Sequence, residues 1–183
     1  MRRLFLTLLL ASACQAQSWY NASWSHRKAK PVVYRTAQTG FPVLVDLSGD
    51  ADLLSHARGD RHDILFTSSD GTTKLPHERV GTTDQYYVKT DLSATLDTAL
   101  FAYAGNPSAA DQSNLAAVWD SHFKMVSHCE GGVCADSTSN ANDATTPTGT
   151  PTAVVGQIGS AVHFDGFSYL SGTGNLGNPS TKY

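Results

Sequence analysis

Asp63-Ile64-Leu65-Phe66-Thr67, then Ser69-Asp70-Gly71-Thr72, then Lys74-Leu75-Pro76-His77-Glu78-Arg79-Val80 is the stretch that decides the fold. Two short runs of strand-forming residues flank an Asp-Gly pair, a strong signal for a β-hairpin. Working outward, similar runs recur: Pro31-Val32-Val33-Tyr34 and Phe41-Pro42-Val43-Leu44-Val45-Asp46-Leu47 before it, Gln85-Tyr86-Tyr87-Val88-Lys89-Thr90 and Thr98-Ala99-Leu100-Phe101-Ala102-Tyr103 after it. Each is β-branched or aromatic and bounded by turn residues, and their spacing suits a sandwich. Pro42 is expected at a strand start or an edge, because it cannot donate to a ladder. The one helix in this region is expected over residues 50–57, capped by Asp50 and ended before Gly59.

Composition supports an all-β protein. The 183 residues carry 13 Lys+Arg against 16 Asp+Glu, and only Glu78 and Glu130 are glutamates. The remaining acids are aspartates, which suit turns, whereas glutamate suits helix interiors. A charged fraction of 16% with no basic run excludes an electrostatic nucleic-acid footprint. A net charge of only −3 with 40% hydrophobic residues argues against disorder.

The amino terminus reads as an export signal over residues 1–16. Met1-Arg2-Arg3 precedes the short apolar run Leu4-Phe5-Leu6-Thr7-Leu8-Leu9-Leu10-Ala11, and small-residue cleavage sites follow. The run is too short to span a bilayer, so no membrane span is expected. Ala11-Ser12-Ala13-Cys14 is also similar to a lipobox, which would make Cys14 a lipidation site and give the protein a lipid anchor. Export fits a disulfide between Cys129 and Cys134, whose intervening Gly131-Gly132 can adopt the positive φ of a tight turn. The alternative is a zinc site built from His122, His128, Cys129 and Cys134, whose spacing matches none of the usual paired patterns.

The strand pattern breaks at Gly105-Asn106-Pro107-Ser108, and Leu115, Val118 and Trp119 then fall at helical spacing. The expected organisation is a lead-in over 17–30, a β-sandwich over 31–108, a helical connector over 109–122 and a partial jelly-roll-like segment over 123–183. In that last segment 123–128 is a strand candidate and 136–151 a loop, while 160–166 and 168–171 are two strands joined at a Gly turn. Three strands and a long loop cannot bury a second core, so this segment is expected to be incomplete or packed onto the first.

Gly40-Phe41-Pro42-Val43-Leu44-Val45, Asp63-Ile64-Leu65-Phe66, Ser69-Asp70-Gly71-Thr72-Thr73-Lys74-Leu75-Pro76 and Tyr103-Ala104-Gly105-Asn106-Pro107 resemble a bacterial and archaeal extracellular domain of unknown function. That family often stands in front of laminin-G-like, concanavalin-A-like jelly rolls, and sometimes in front of proton-channel proteins of the MotA/TolQ/ExbB type. Val118-Trp119-Asp120, Val126-Ser127-His128, Asp136-Ser137-Thr138-Ser139-Asn140 and Ile158-Gly159-Ser160-Ala161-Val162-His163-Phe164-Asp165-Gly166 are similar to the opening of such a jelly roll. The resemblance implies an antiparallel β-sandwich followed by an incomplete jelly-roll-like segment.

No catalytic constellation is recognisable. A glycosidase would need two facing carboxylates, and the two glutamates stand in unrelated contexts. No Ser sits in a Gly-x-Ser-x-Gly elbow. His77-Glu78 lacks the second His of a zinc-protease helix, and Pro76 forbids helix there. Asp60-Arg61-His62-Asp63 reads as a turn whose Asp63 satisfies backbone amides. Binding chemistry is better represented. Trp24, Tyr86, Tyr87 and Trp119 offer rings that could stack on sugars, with adjacent Tyr86 and Tyr87 on opposite strand faces. Asp136, Asn140 and Asp143 offer oxygens that Ca²⁺ would accept, and turn capping explains the same residues. The sequence leaves three functional expectations. The first is a non-catalytic secreted or cell-surface module for adhesion through a glycan or a surface protein. The others are a structural or assembly unit of an envelope lipoprotein and an accessory domain of a secreted glycoside hydrolase.

Overall fold

The computed structural model describes residues 18–172, so the signal segment and Cys14 lie outside the described residues. In chain order the elements are β1 (His26–Val32), β2 (Gln38–Asp46), α1 (Ala51–His56), β3 (Leu65–Thr67), β4 (Lys74–Leu75), β5 (His77–Arg79), β6 (Gln85–Leu92), β7 (Thr98–Ala104), α2 (Leu115–Val118), β8 (Thr146–Thr148), β9 (Thr152–Val155), β10 (Ser160–His163) and β11 (Tyr169–Ser171). Two antiparallel sheets face each other, one in the order β1-β7-β3-β4 and the other β2-β6-β5. The chain is an all-β sandwich.

Strand periodicity explains the packing. In β6, Tyr86, Val88 and Leu92 alternate inward, and in β7 Leu100, Ala102 and Ala104 do the same. They close on Val43 and Val45 of β2, Phe66 of β3, Leu47, Ile64 and Leu53 of α1. The intervening residues Phe101 and Tyr103 point out of the sandwich, yet they too are buried. A second cluster covers them, built from Trp24, Leu65 and Ala109 with Tyr20 against it. Residues 18–30 are therefore part of the sandwich and no mere lead-in, and β1 starts at His26, five residues before the expected strand.

The expected hairpin forms, but one of its arms is divided. β3 pairs with β4, and Asp70 organises the turn by accepting the amides of Thr72 at 2.7 Å and Thr73 at 2.8 Å. Gly71 has φ +75°, and a Cβ there would lie 2.1 Å from the Ser18 carbonyl oxygen. At Pro76 the chain leaves the first sheet, because proline has no N–H to continue the ladder. β5 then pairs with β6 of the opposite sheet, so the single expected strand over 74–80 becomes two strands in two sheets. Pro42 lies in β2, an edge strand, as expected.

Asp50 caps α1 by accepting the Leu53 amide at 3.2 Å. Burial raises its pKa, but hydrogen bonds from Lys28 and Lys30 outweigh this and hold the carboxyl well below the usual range. The expected structural role of Asp63 is also observed: its carboxylate accepts the amides of Arg58, Gly105 and Asn106.

The carboxyl-terminal part departs further from expectation. Residues 123–128 form no strand beyond the single bridge of Ser127 with Asp136. α2 is one turn long. The two expected strands, β10 and β11, do not pair with each other: β10 pairs with the unforeseen β9, and β11 pairs with β8 across the former loop region.

Candidate binding surface

The four aromatic residues singled out in the sequence do not form one platform. Trp24 is buried, with Nε1 donating to the Asp63 carbonyl oxygen at 2.7 Å and its ring edge-on to Tyr20. Tyr86 lies between the two sheets against Phe66 and His77, and its hydroxyl has no hydrogen-bond partner. Burial pushes that phenol well above its ordinary pKa. Trp119 is buried on the outside of the second sheet. Only Tyr87 and Trp119 meet, edge-on at 5.1 Å. Trp24, Tyr86 and Trp119 thus offer no free face to a ligand, because the apolar area of a large ring is most stable when removed from water.

Around Trp119 the structure builds a polar seam that the sequence did not reveal. On β5 the alternation of faces sends His77 into the sandwich and Glu78 outward. Glu78 is nevertheless buried: Trp119 Nε1 donates to its Oε2 at 2.5 Å, Ser137 Oγ donates to its Oε1, and His128 Nε2 lies 3.5 Å from Oε2. The His128 ring stacks on Tyr87 at 5.3 Å. A cavity of about 240 Å³ beside this seam is lined by both Glu78 and Glu130 together with His128 and Ser137. The two glutamates, in unrelated contexts along the sequence, share one cavity. Glu130 is engaged as well, its Oε1 accepting the Thr82 amide at 2.9 Å. Both carboxylates therefore hold the carboxyl-terminal segment against the β5–β6 end of the sandwich.

The residues proposed for Ca²⁺ have a different occupation. The Asp136 carboxylate accepts the amides of Val126, Thr138 and Asn142 and the Thr138 hydroxyl. Burial raises its pKa, and the amides of Val126, Thr138 and Asn142 reverse the shift. Asp143 Oδ1 accepts the Asp136 amide at 2.7 Å, while the Asn140 side chain donates to the carbonyls of Phe123 and Lys124. Protein donors thus occupy both Asp136 oxygens and Asp143 Oδ1, and these bonds tie the loop into a knot. The zinc alternative fails on geometry too. Cys129 and Cys134 form a disulfide, and His122 is turned to Asp120 while His128 lies in the seam. Gly131 and Gly132 have φ +58° and +86°, the turn expected from the sequence.

A further concave surface lies beside that disulfide. A groove of about 440 Å³ is lined by Met125, the Cys129–Cys134 bridge, Phe164, Tyr169 and Leu170, with the hydroxyl residues Ser127 and Ser168. Tyr169 is 55% exposed, and Phe167 nearby is 91% exposed. The turn between β10 and β11 fixes this display: Asp165 Oδ1 accepts the amides of Phe167 and Ser168, and Gly166 takes φ +88°. Sequence reasoning read Phe164 and Tyr169 as strand residues only. The signal was three aromatics, Phe164, Phe167 and Tyr169, within six positions around the Asp165-Gly166 turn, between strands too short to bury them.

Compared with known proteins, the chain matches no family model, no curated protein and no solved structure. Its functional reading rests on its own geometry.

Proposed function

We propose that this chain is a non-catalytic, secreted or cell-surface β-sandwich module that binds carbohydrate, with adhesion as its role. The observation that carries the reading is the groove of Met125, Phe164, Tyr169 and Leu170, whose exposed rings stand beside the hydroxyls of Ser127 and Ser168. Sugar rings present apolar C–H faces and hydroxyl edges, and a site of aromatic surface with a few polar groups complements both. A glycan array with the purified chain tests this. A saturable hit that Tyr169→Ala and Phe164→Ala each abolish supports the reading, and silence across polysaccharides overturns it.

A second reading, a structural or assembly unit of an envelope protein, draws on a separate observation. The sheets β9–β10 and β8–β11 are each only two strands wide, and Val154 and Val155 are exposed on β9. Unpaired strand edges are templates for pairing with another chain. Light scattering at rising protein concentration distinguishes this reading, which requires an assembly larger than one chain.

A further inference from the structure

β1 and α1 bring together His26, Asp52 and His56. We propose that these three side chains form a binding site for a divalent late transition-metal ion such as Zn²⁺. Asp52 and His56 stand four residues apart on α1, which places them on one face of the helix, and the neighbouring strand β1 supplies His26. One ligand atom from each residue lies within 4.8 Å of the other two. His26 Nε2 is 3.3 Å from Asp52 Oδ2. That separation is about the edge of a tetrahedron whose metal–ligand bonds are about 2.0–2.1 Å long. The two imidazoles stack at 3.9 Å between centroids with planes 2° apart.

Within α1, His56 Nδ1 lies 2.9 Å from the Asp52 carbonyl oxygen. Asp52 and His56 are exposed and His26 is half-buried, so none of the three supports the core. Helix capping is done by Asp50, which holds Lys28 and Lys30. Two imidazoles and one carboxylate are borderline donors that suit zinc or copper over magnesium or calcium. Lys28 Nζ, 3.5 Å from Asp52 Oδ2, is the one competing cation on the described residues around the carboxylate, and a divalent ion outcompetes it by charge and by direct coordination. With three protein ligands, the fourth position of a tetrahedral ion is left for water or a donor from another molecule.

The test is calorimetric titration of the tag-free full chain with Zn²⁺, beside NMR of the histidine rings. The expected result is one saturable site, with ring signals of His26 and His56 moving before those of His62 and His122. His26→Ala and His56→Ala should each weaken the site by about tenfold or more, while His62→Ala leaves it unchanged. The proposal is overturned if the wild-type chain shows no saturable Zn²⁺ binding, if a His26→Ala/His56→Ala double variant binds equally well, or if other histidine signals move first. The NMR readout needs no variant, so a variant that fails to fold does not block the test.

Discussion

Residues 18–118 and 120–172 are held together by different physics. The first region is organised by apolar alternation: two sheets trap one core, and the outer face of β7 is sealed by a second cluster. In the second, the strands β8 and β9 are exposed along their whole length, and the buried residues include Thr138, Asn142 and Ser168. Its structure comes from the Asp136 knot, the Cys129–Cys134 bridge and the polar seam at Glu78. Apolar burial gives a region its own stability, scaling with area removed from water. Hydrogen-bonded knots fix a conformation but add modest net stability each, so the second region depends on the first for a surface to lie on.

The comparison breaks most visibly at the seam. Glu78→Ala leaves the Trp119 N–H and the Ser137 hydroxyl without their buried acceptor, and should cost about 4 kcal/mol. Hydrogen exchange should show protection lost first over residues 120–172 and retained in β6 and β7. Equal loss in both regions would mean that they are one cooperative unit.

A smaller effect belongs to the sandwich alone. Burial pushes the His77 imidazole down to about 4 from an ordinary 6.5. Between these values the unfolded chain binds a proton that the folded chain refuses. Stability from this group is thus complete above about pH 6.5 and falls by about 3 kcal/mol as pH drops to about 4. Urea unfolding of the wild type across that window should show the slope, and His77→Phe, which keeps an aromatic ring against Phe66 and Tyr86, should lack it.

Reducing the disulfide should cost about 2 kcal/mol, the chain entropy of so short a loop, with the change confined to the carboxyl-terminal segment. Protease cleavage near residues 129–134 reads this directly. The smallest expected effect has the opposite sign: Tyr86→Phe removes a buried hydroxyl without a partner and should leave the sandwich unchanged or more stable by about 1 kcal/mol. A clear loss of melting temperature in this variant would show that the hydroxyl is satisfied in solution.

The first region was legible because its signals are local. Asp70-Gly71 announced a turn, Asp50 a helix cap, and the runs of β6 and β7 their strands, each through residues adjacent in sequence. Pro76 was visible as a break, but which sheet received β5 was not, since that depends on whether the next partner is Thr67 or Val88, far away in the chain. The second region misled for the same reason. Its strands are three or four residues long, too short for periodicity to mark, and their partners lie across loops.

By itself, the sequence determined an all-β chain, the positions of its main strands and turns, and a disulfide within reach of a Gly-Gly turn. These follow from backbone preferences and side-chain alternation, which act over a few residues. Tertiary structure alone decided which aromatics are buried, that Glu78 meets Trp119, Ser137 and His128, that Phe164 and Tyr169 border a groove, and that His26 stacks on His56 beside Asp52. Each of these joins residues distant in sequence, and only the packing of one sheet on another, with the covering segments that remove its outer faces from water, brings them into contact.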